Sequence, residues 1–235
     1  MKGQLLLVAV TLICSAAIEA ESATYTHAKI ALHLTHLPAK NSVSFICQTE
    51  SPNTLGISCG NYVVAGATNT PYSMYLVIAG ADPADTSEAL ASGTRGISLG
   101  IYYNGAGASN GLDVTGWTSC ADLEFPNDWP NPGGGNVLTW TECQSTVISP
   151  DGVHAVVGAF SVYAYGEDRF YITPNTTALN ALTVADCAGA QWDVSNAARV
   201  SFGNFYVSCN PCAAYCFDDP VLPTTWGKIK SKYEH

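Results

Sequence analysis

The chain has 235 residues, 47% hydrophobic and 12% charged, a balance that excludes intrinsic disorder over most of its length. Nine Lys and Arg against 19 Asp and Glu leave a net charge of −10, so the surface repels phosphate backbones and nucleic-acid binding is excluded as a class. With 21 Thr, 19 Ser and 14 Asn, hydroxyls and amides rather than charges solvate the surface, a composition that fits a β-rich extracellular protein.

Lys2 precedes an apolar run over 5–13, and the small residues Ser15, Ala16, Ala17 and Ala20 follow. That three-part layout predicts a secretory signal peptide over 1–20, cleaved after Ala17 or Ala20. A membrane helix needs about 20 apolar residues. No transmembrane span is therefore expected after cleavage. Ile13 stands where a lipid-anchored Cys14 would need a small residue, which argues against lipidation.

Strands are expected at 29–37, 43–47, 62–64, 72–79, 96–103, 137–140, 153–165, 169–172, 182–187 and 199–207, from runs of β-branched and aromatic residues. In the first run Ile30, Leu32 and Leu34 share one face, while Lys29, Ala31, His33 and Thr35 share the other, the pattern of a half-buried strand. Asn104-Gly105, 130–136, Asp151-Gly152 and 166–168 supply turns. Two places have helical signals: Asp82, which could cap a turn opened by Pro83, and the segment after Thr225. Short strands with few helices predict an all-β fold, a disulfide-stapled β-sandwich over 21–217 with a short C-terminal helical tail over 218–235.

Without the leader, eight cysteines remain: Cys47, Cys59, Cys120, Cys143, Cys187, Cys209, Cys212 and Cys216. In an exported chain they read as disulfides rather than metal ligands, and no cofactor is expected. Short loops favour Cys47 with Cys59 and Cys120 with Cys143; among the remaining four, Cys187 is expected with Cys212 and Cys209 with Cys216.

The run Gly96-Ile97-Ser98-Leu99-Gly100-Ile101-Tyr102-Tyr103-Asn104, followed by Gly116-Trp117-Thr118-Ser119-Cys120-Ala121-Asp122-Leu123-Glu124-Phe125-Pro126, resembles a group of uncharacterised secreted bacterial β-rich proteins. The likeness continues through 158–165, Val184-Ala185-Asp186-Cys187, Cys209-Asn210-Pro211-Cys212 and the tail Thr224-Thr225-Trp226-Gly227-Lys228-Ile229-Lys230. It implies a secreted bacterial protein and transfers no activity to any residue. The strand at 96–104 also resembles cohesin-like sandwich modules, an analogy of fold alone.

Gly107-Ala108-Ser109-Asn110-Gly111 matches G-x-S-x-G, but no helical pattern follows it, so it reads as a plain turn and no catalytic residue is assigned. His27, His33 and His36 lie on or near one strand without a zinc motif and read as surface residues. Asn175-Thr176-Thr177 is a formal glycosylation acceptor, expected to be unused in a bacterial protein. Asp122 and Glu124, two residues apart beside Trp117 and close to Trp129, form the candidate ligand-binding group, because paired acids near aromatics build sugar and calcium sites. In the tail, Trp226, Ile229 and Tyr233 would share one helical face and dock it. Together these features predict a secreted, non-catalytic binding, adhesion or structural module of the cell exterior, with a glycan or cell-surface protein as partner. The alternatives are a polysaccharide hydrolase using Asp122 and Glu124, or a calcium-dependent carbohydrate-binding module using the same acids.

Overall fold

The computed structural model describes residues 24–40, 47, 58–80, 93–105, 110–148, 152–177, 181–204, 207–213 and 216. The leader, the turn at Asp82, Ser109, and the tail with Trp226, Ile229 and Tyr233 lie outside the described residues. Within them the chain is nearly all β, without an α-helix.

The strands are β1 (Thr24–His36), β2 (Ala65–Gly66), β3 (Pro71–Ala79), β4 (Thr94–Tyr102), β5 (Leu112–Ser119), β6 (Leu123–Asn127) and β7 (Gly135–Gln144). They continue with β8 (Val147–Ile148), β9 (Gly152–Ala164), β10 (Asp168–Thr173), β11 (Thr183–Asp186), β12 (Gln191–Ala197) and β13 (Arg199–Phe202). Most of the expected strands are present. The expected strand at 62–64 is not one: its backbone is extended, and β2 begins only at Ala65. β5, β6, β8 and β12 are not expected from the sequence: β8 has only two residues, Glu, Pro and Asn interrupt β6, and Thr, Gly, Asp and Asn dilute the apolar pattern of β5 and β12.

The main hydrogen-bonded path runs β2-β13-β10-β4-β11-β12-β1-β3-β9-β5. β4 is its branch point. One edge of β4 pairs with β7, which in turn carries β6, while the other edge is shared between β11 and β10. The path doubles back, so that Ile30, Leu32 and Leu34 of β1 and Met74, Leu76 and Ile78 of β3 share one core with Ile97, Leu99 and Ile101 of β4. Phe160, Phe170 and Phe202 fill its middle with ring centroids of Phe160 and Phe170 5.1 Å apart. Burying a side chain of this size contributes roughly 2–3 kcal/mol.

β9 shows how alternation survives an irregularity. Ala155 and Val157 point into the core, and so do Phe160, Val162 and Ala164, so the parity changes between 157 and 160. The register against β3 shifts at the same point, as a β-bulge requires. Gly158 is needed there because a Cβ would stand 2.4 Å from the Trp117 ring.

The back of the β1, β3 and β9 layer is covered rather than solvated. Tyr62 and the Cys59 end of the 58–64 segment pack on Ala31, Tyr75, Val77, Val156 and Ala159 in a second, smaller core. The polar face expected for β1 is thereby corrected: Ala31 is fully buried, and His33, read from sequence as a surface residue, is only 7% exposed. The periodicity of one strand cannot show that a distant segment lies over it.

The eight cysteines among the described residues all form disulfides: Cys47–Cys120, Cys59–Cys212, Cys143–Cys187 and Cys209–Cys216. Of the expected partners, only Cys209 with Cys216 is correct. Cys47 with Cys59, Cys120 with Cys143 and Cys187 with Cys212 are overturned, because loop length favours near neighbours while the sheet brings residues 44 to 153 positions apart to Cα separations of 5.4–5.6 Å.

Candidate functional site

Trp117, Glu124 and Trp129 come together, but against the core. Trp117 sits on β5 with its ring 4.5 Å from Phe160 and 5.3 Å from Trp129, and its Nε1 donates to Glu124 at 2.8 Å. Trp129 packs on Phe160 in its turn, and its Nε1 is buried without a hydrogen-bond partner. Asp122 lies in the bend before β6 and is turned to a separate partner. It accepts hydrogen bonds from the Thr141 hydroxyl and the Thr141 N–H, each 2.6 Å, and these hold its carboxyl below the usual carboxylate range. Each acid of the pair thus has its own fold-holding bond.

On β6 two large apolar side chains are bare. Leu123 is 54% and Phe125 61% exposed, beside Thr139 and Val137 of β7 in the register. β4 alternates core residues with Gly96, Ser98, Gly100 and Tyr102 on its outer face, and the first two have no bulk to fill the space above them. β11 contributes Thr183 and Ala185 opposite Ser98 and Gly96. The result is a half-open hollow of about 160 Å³, lined by Ser98, Val137, Thr139, Thr183, Ala185 and Gln191 among others. Its described lining carries no charged side chain. The Ser98 hydroxyl is buried and has no hydrogen-bond partner. Farther along the same face Tyr102 and Tyr171 lie 5.3 Å apart, with the Arg169 guanidinium over Tyr171. Sequence reading missed this face because single small residues on a strand look like weak β-formers rather than the floor of a site.

The Asn175 side chain of the formal glycosylation acceptor is turned inward, 1% exposed, with its Nδ2 donating to the Asn136 carbonyl. Among the described residues no three His, Cys, Asp or Glu side chains converge on a metal-sized site.

Behind the sheet, Tyr62 lies between two buried histidines. Its ring centroid is 4.9 Å from that of His33, and its hydroxyl stands 3.5 Å from His154 Nδ1. The Val63 N–H donates to His33 Nδ1 at 2.9 Å, which requires that nitrogen to be unprotonated. Burial pushes the His33 ring down from 6.5 to about 4. Between those values the unfolded chain binds a proton that the folded chain refuses, so stability rises with pH. The contribution is complete above about pH 6.5 and is lost as pH falls toward 4. Thermal unfolding across pH 7 to 4 is expected to cost the native protein roughly 3–5 °C more than His33→Asn, whose Oδ1 takes the place of Nδ1 and keeps the Val63 bond without titrating. Parallel pH profiles would refute this assignment.

No family model and no curated protein matches the chain. Among solved structures it is similar to a cohesin module of a family 33 glycoside hydrolase from Clostridium perfringens, at 11% identity over 73% of this chain and 96% of that one, with a TM-score of 0.38. A type I cohesin–dockerin complex from Clostridium thermocellum matches at 11% identity over 78% and 97%, with a TM-score of 0.41. The sixth cohesin of Acetivibrio cellulolyticus scaffoldin B, in complex with a Cel5 dockerin, matches at 10% over 60% and 92%, with a TM-score of 0.38.

Proposed function

We propose that the chain is a secreted, non-catalytic binding module of the cell exterior, a disulfide-stapled β-sandwich that engages an extracellular glycan or cell-surface protein through the outer face of β6, β7, β4 and β11. The observation that carries this reading is the pair Leu123 and Phe125, bare beside an uncharged hollow. Large apolar side chains grouped beside a concavity mark an interaction surface more than singly scattered ones do. Four disulfides fit an oxidising compartment. The non-catalytic part rests on the acids: Asp122 is turned to Thr141 and Glu124 to Trp117.

The test is binding of labelled, oxidised protein to glycan arrays and intact cells, comparing the native chain with Leu123→Asp/Phe125→Asp. Expected is at least a tenfold loss of binding with little change in melting temperature, since both side chains already face water. Equal binding by the variant would remove the face from consideration. Release of reducing ends from a polysaccharide, abolished by Glu124→Gln, would overturn the non-catalytic reading.

A further inference from the structure

Building on that reading, we propose that the hollow over Gly96 and Ser98 receives a single uncharged, six-membered glycosyl ring of a neutral glycan, with Phe125 at its rim. Size comes first. An apolar cavity of about 150 Å³ takes a benzene-sized ring. The hollow here is about 160 Å³ and open on one side, so it takes one six-membered ring with its hydroxyls projecting to solvent and is too small for a folded peptide segment.

The chemistry of the lining selects among six-membered rings. The lining is mainly apolar, from Val137, Ala185 and the bare backbone at Gly96 among others, with Thr139, Thr183 and Gln191 as its polar members. A pyranose suits such a lining through the C–H groups of one face, with its few polar neighbours reached by hydroxyls at the ring's edge. The buried Ser98 hydroxyl lacks a partner, and leaving such a group unmade costs about 1–3 kcal/mol. Rotation of the Ser98 side chain toward the hollow that it lines would let a ligand hydroxyl supply the missing bond. Charge decides against acidic sugars: the described lining holds no Lys, Arg or His, and the chain as a whole carries −10, so a carboxylate or sulfate would be desolvated without compensation. Asp193, opposite Thr183 in the register, adds an acceptor near the site and strengthens that exclusion. Phe125 neighbours Val137 across the β6–β7 pair, which places an exposed aromatic at the edge of the hollow, where the face of a sugar ring can lie on it.

The experiment is a titration of isotopically labelled, oxidised protein with neutral oligosaccharides of glucose, galactose, mannose and N-acetylglucosamine, and with uronate oligosaccharides as the acidic arm. Expected is saturable perturbation of the Ser98, Thr139, Thr183 and Gln191 amide resonances by at least one neutral series and none by the uronates. Ser98→Leu, which fills the hollow, should weaken binding at least tenfold. Ser98→Ala should weaken it several-fold while leaving the melting temperature unchanged or higher, a combination that a purely structural serine would not produce. Binding of the uronates alone, or neutral binding insensitive to Ser98→Leu, overturns the inference. If no sugar perturbs the hollow but a surface protein binds in a manner that Leu123→Asp/Phe125→Asp abolishes, the glycan assignment fails and the binding-module reading stands. If neither class engages this face, both fail.

Discussion

Replacing Cys59 and Cys212 together by alanine is expected to lower the melting temperature by roughly 8–16 °C, the largest loss among the four bridges. The two residues are 153 positions apart. A loop of that length closed in the unfolded chain corresponds to about 5 kcal/mol in the chain-entropy account, and the remaining three bridges shorten the effective loop, bringing the figure to about 4 kcal/mol. Packing adds to the entropy. Cys59 is fully buried in the second core, and its carbonyl accepts from Asn210 Nδ2 at 2.7 Å, so the bridge also pins the 58–64 segment over β1 and β3. The seven-residue separation of Cys209 and Cys216 predicts a smaller effect, about 2 kcal/mol. Scanning calorimetry on the two double variants checks the order. A Cys59/Cys212 variant that melts within 3 °C of the native protein would show that the segment is held by its contacts alone.

Asp168→Ala is the second large effect, with about 3 kcal/mol of stability expected to go, or roughly 6–12 °C. Its side chain is fully buried, and both oxygens are occupied. Oδ1 accepts from the Asn104 N–H at 3.3 Å, Asn104 Nδ2 at 3.0 Å and the Arg169 N–H at 2.7 Å, while Oδ2 accepts from the Leu112 N–H at 2.7 Å. The carboxylate thereby ties the end of β4 and the start of β5 to β10. Gly111 passes close by with φ +76, where a Cβ would stand 3.0 Å from Oδ2, so the backbone there is shaped to reach the carboxylate. Alanine strands several buried donors at once. Asp168→Asn, with its oxygen in the Oδ1 position, keeps three of the four bonds and should lose about half as much. Equal losses for the two variants would mean that charge, rather than bond count, is what the site requires.

The periodicity of apolar residues is enough to place β1, β3, β4 and β10, because each carries a face of Ile, Leu, Val or Phe whose position depends only on the two-residue repeat of a strand, and β9 is long enough to show that repeat on either side of its bulge. Cysteine number and the uncharged, hydroxyl-rich composition likewise identified a disulfide-bonded β-rich chain. Properties of this kind are local or additive, and one residue's contribution does not depend on what lies opposite.

Partnership is different. β5 and β12 are strands because β9 and β1 offer them edges, and their own Thr, Gly and Asp residues carry little preference for that state. Three of four disulfide partners were misjudged from sequence because loop closure costs grow only slowly with length, so sheet geometry overrides proximity along the chain. His33 reads as a surface residue within its own strand and is buried because the 58–64 segment lies above it. The hollow follows the same rule. Gly96 and Ser98, Val137 and Thr139, and Thr183 and Ala185 come from three separated stretches, and only the register of β11, β4 and β7 sets their small side chains next to one another with Phe125 alongside. A site made of missing bulk has no signature in any one segment, so it comes into existence only when the strands pair.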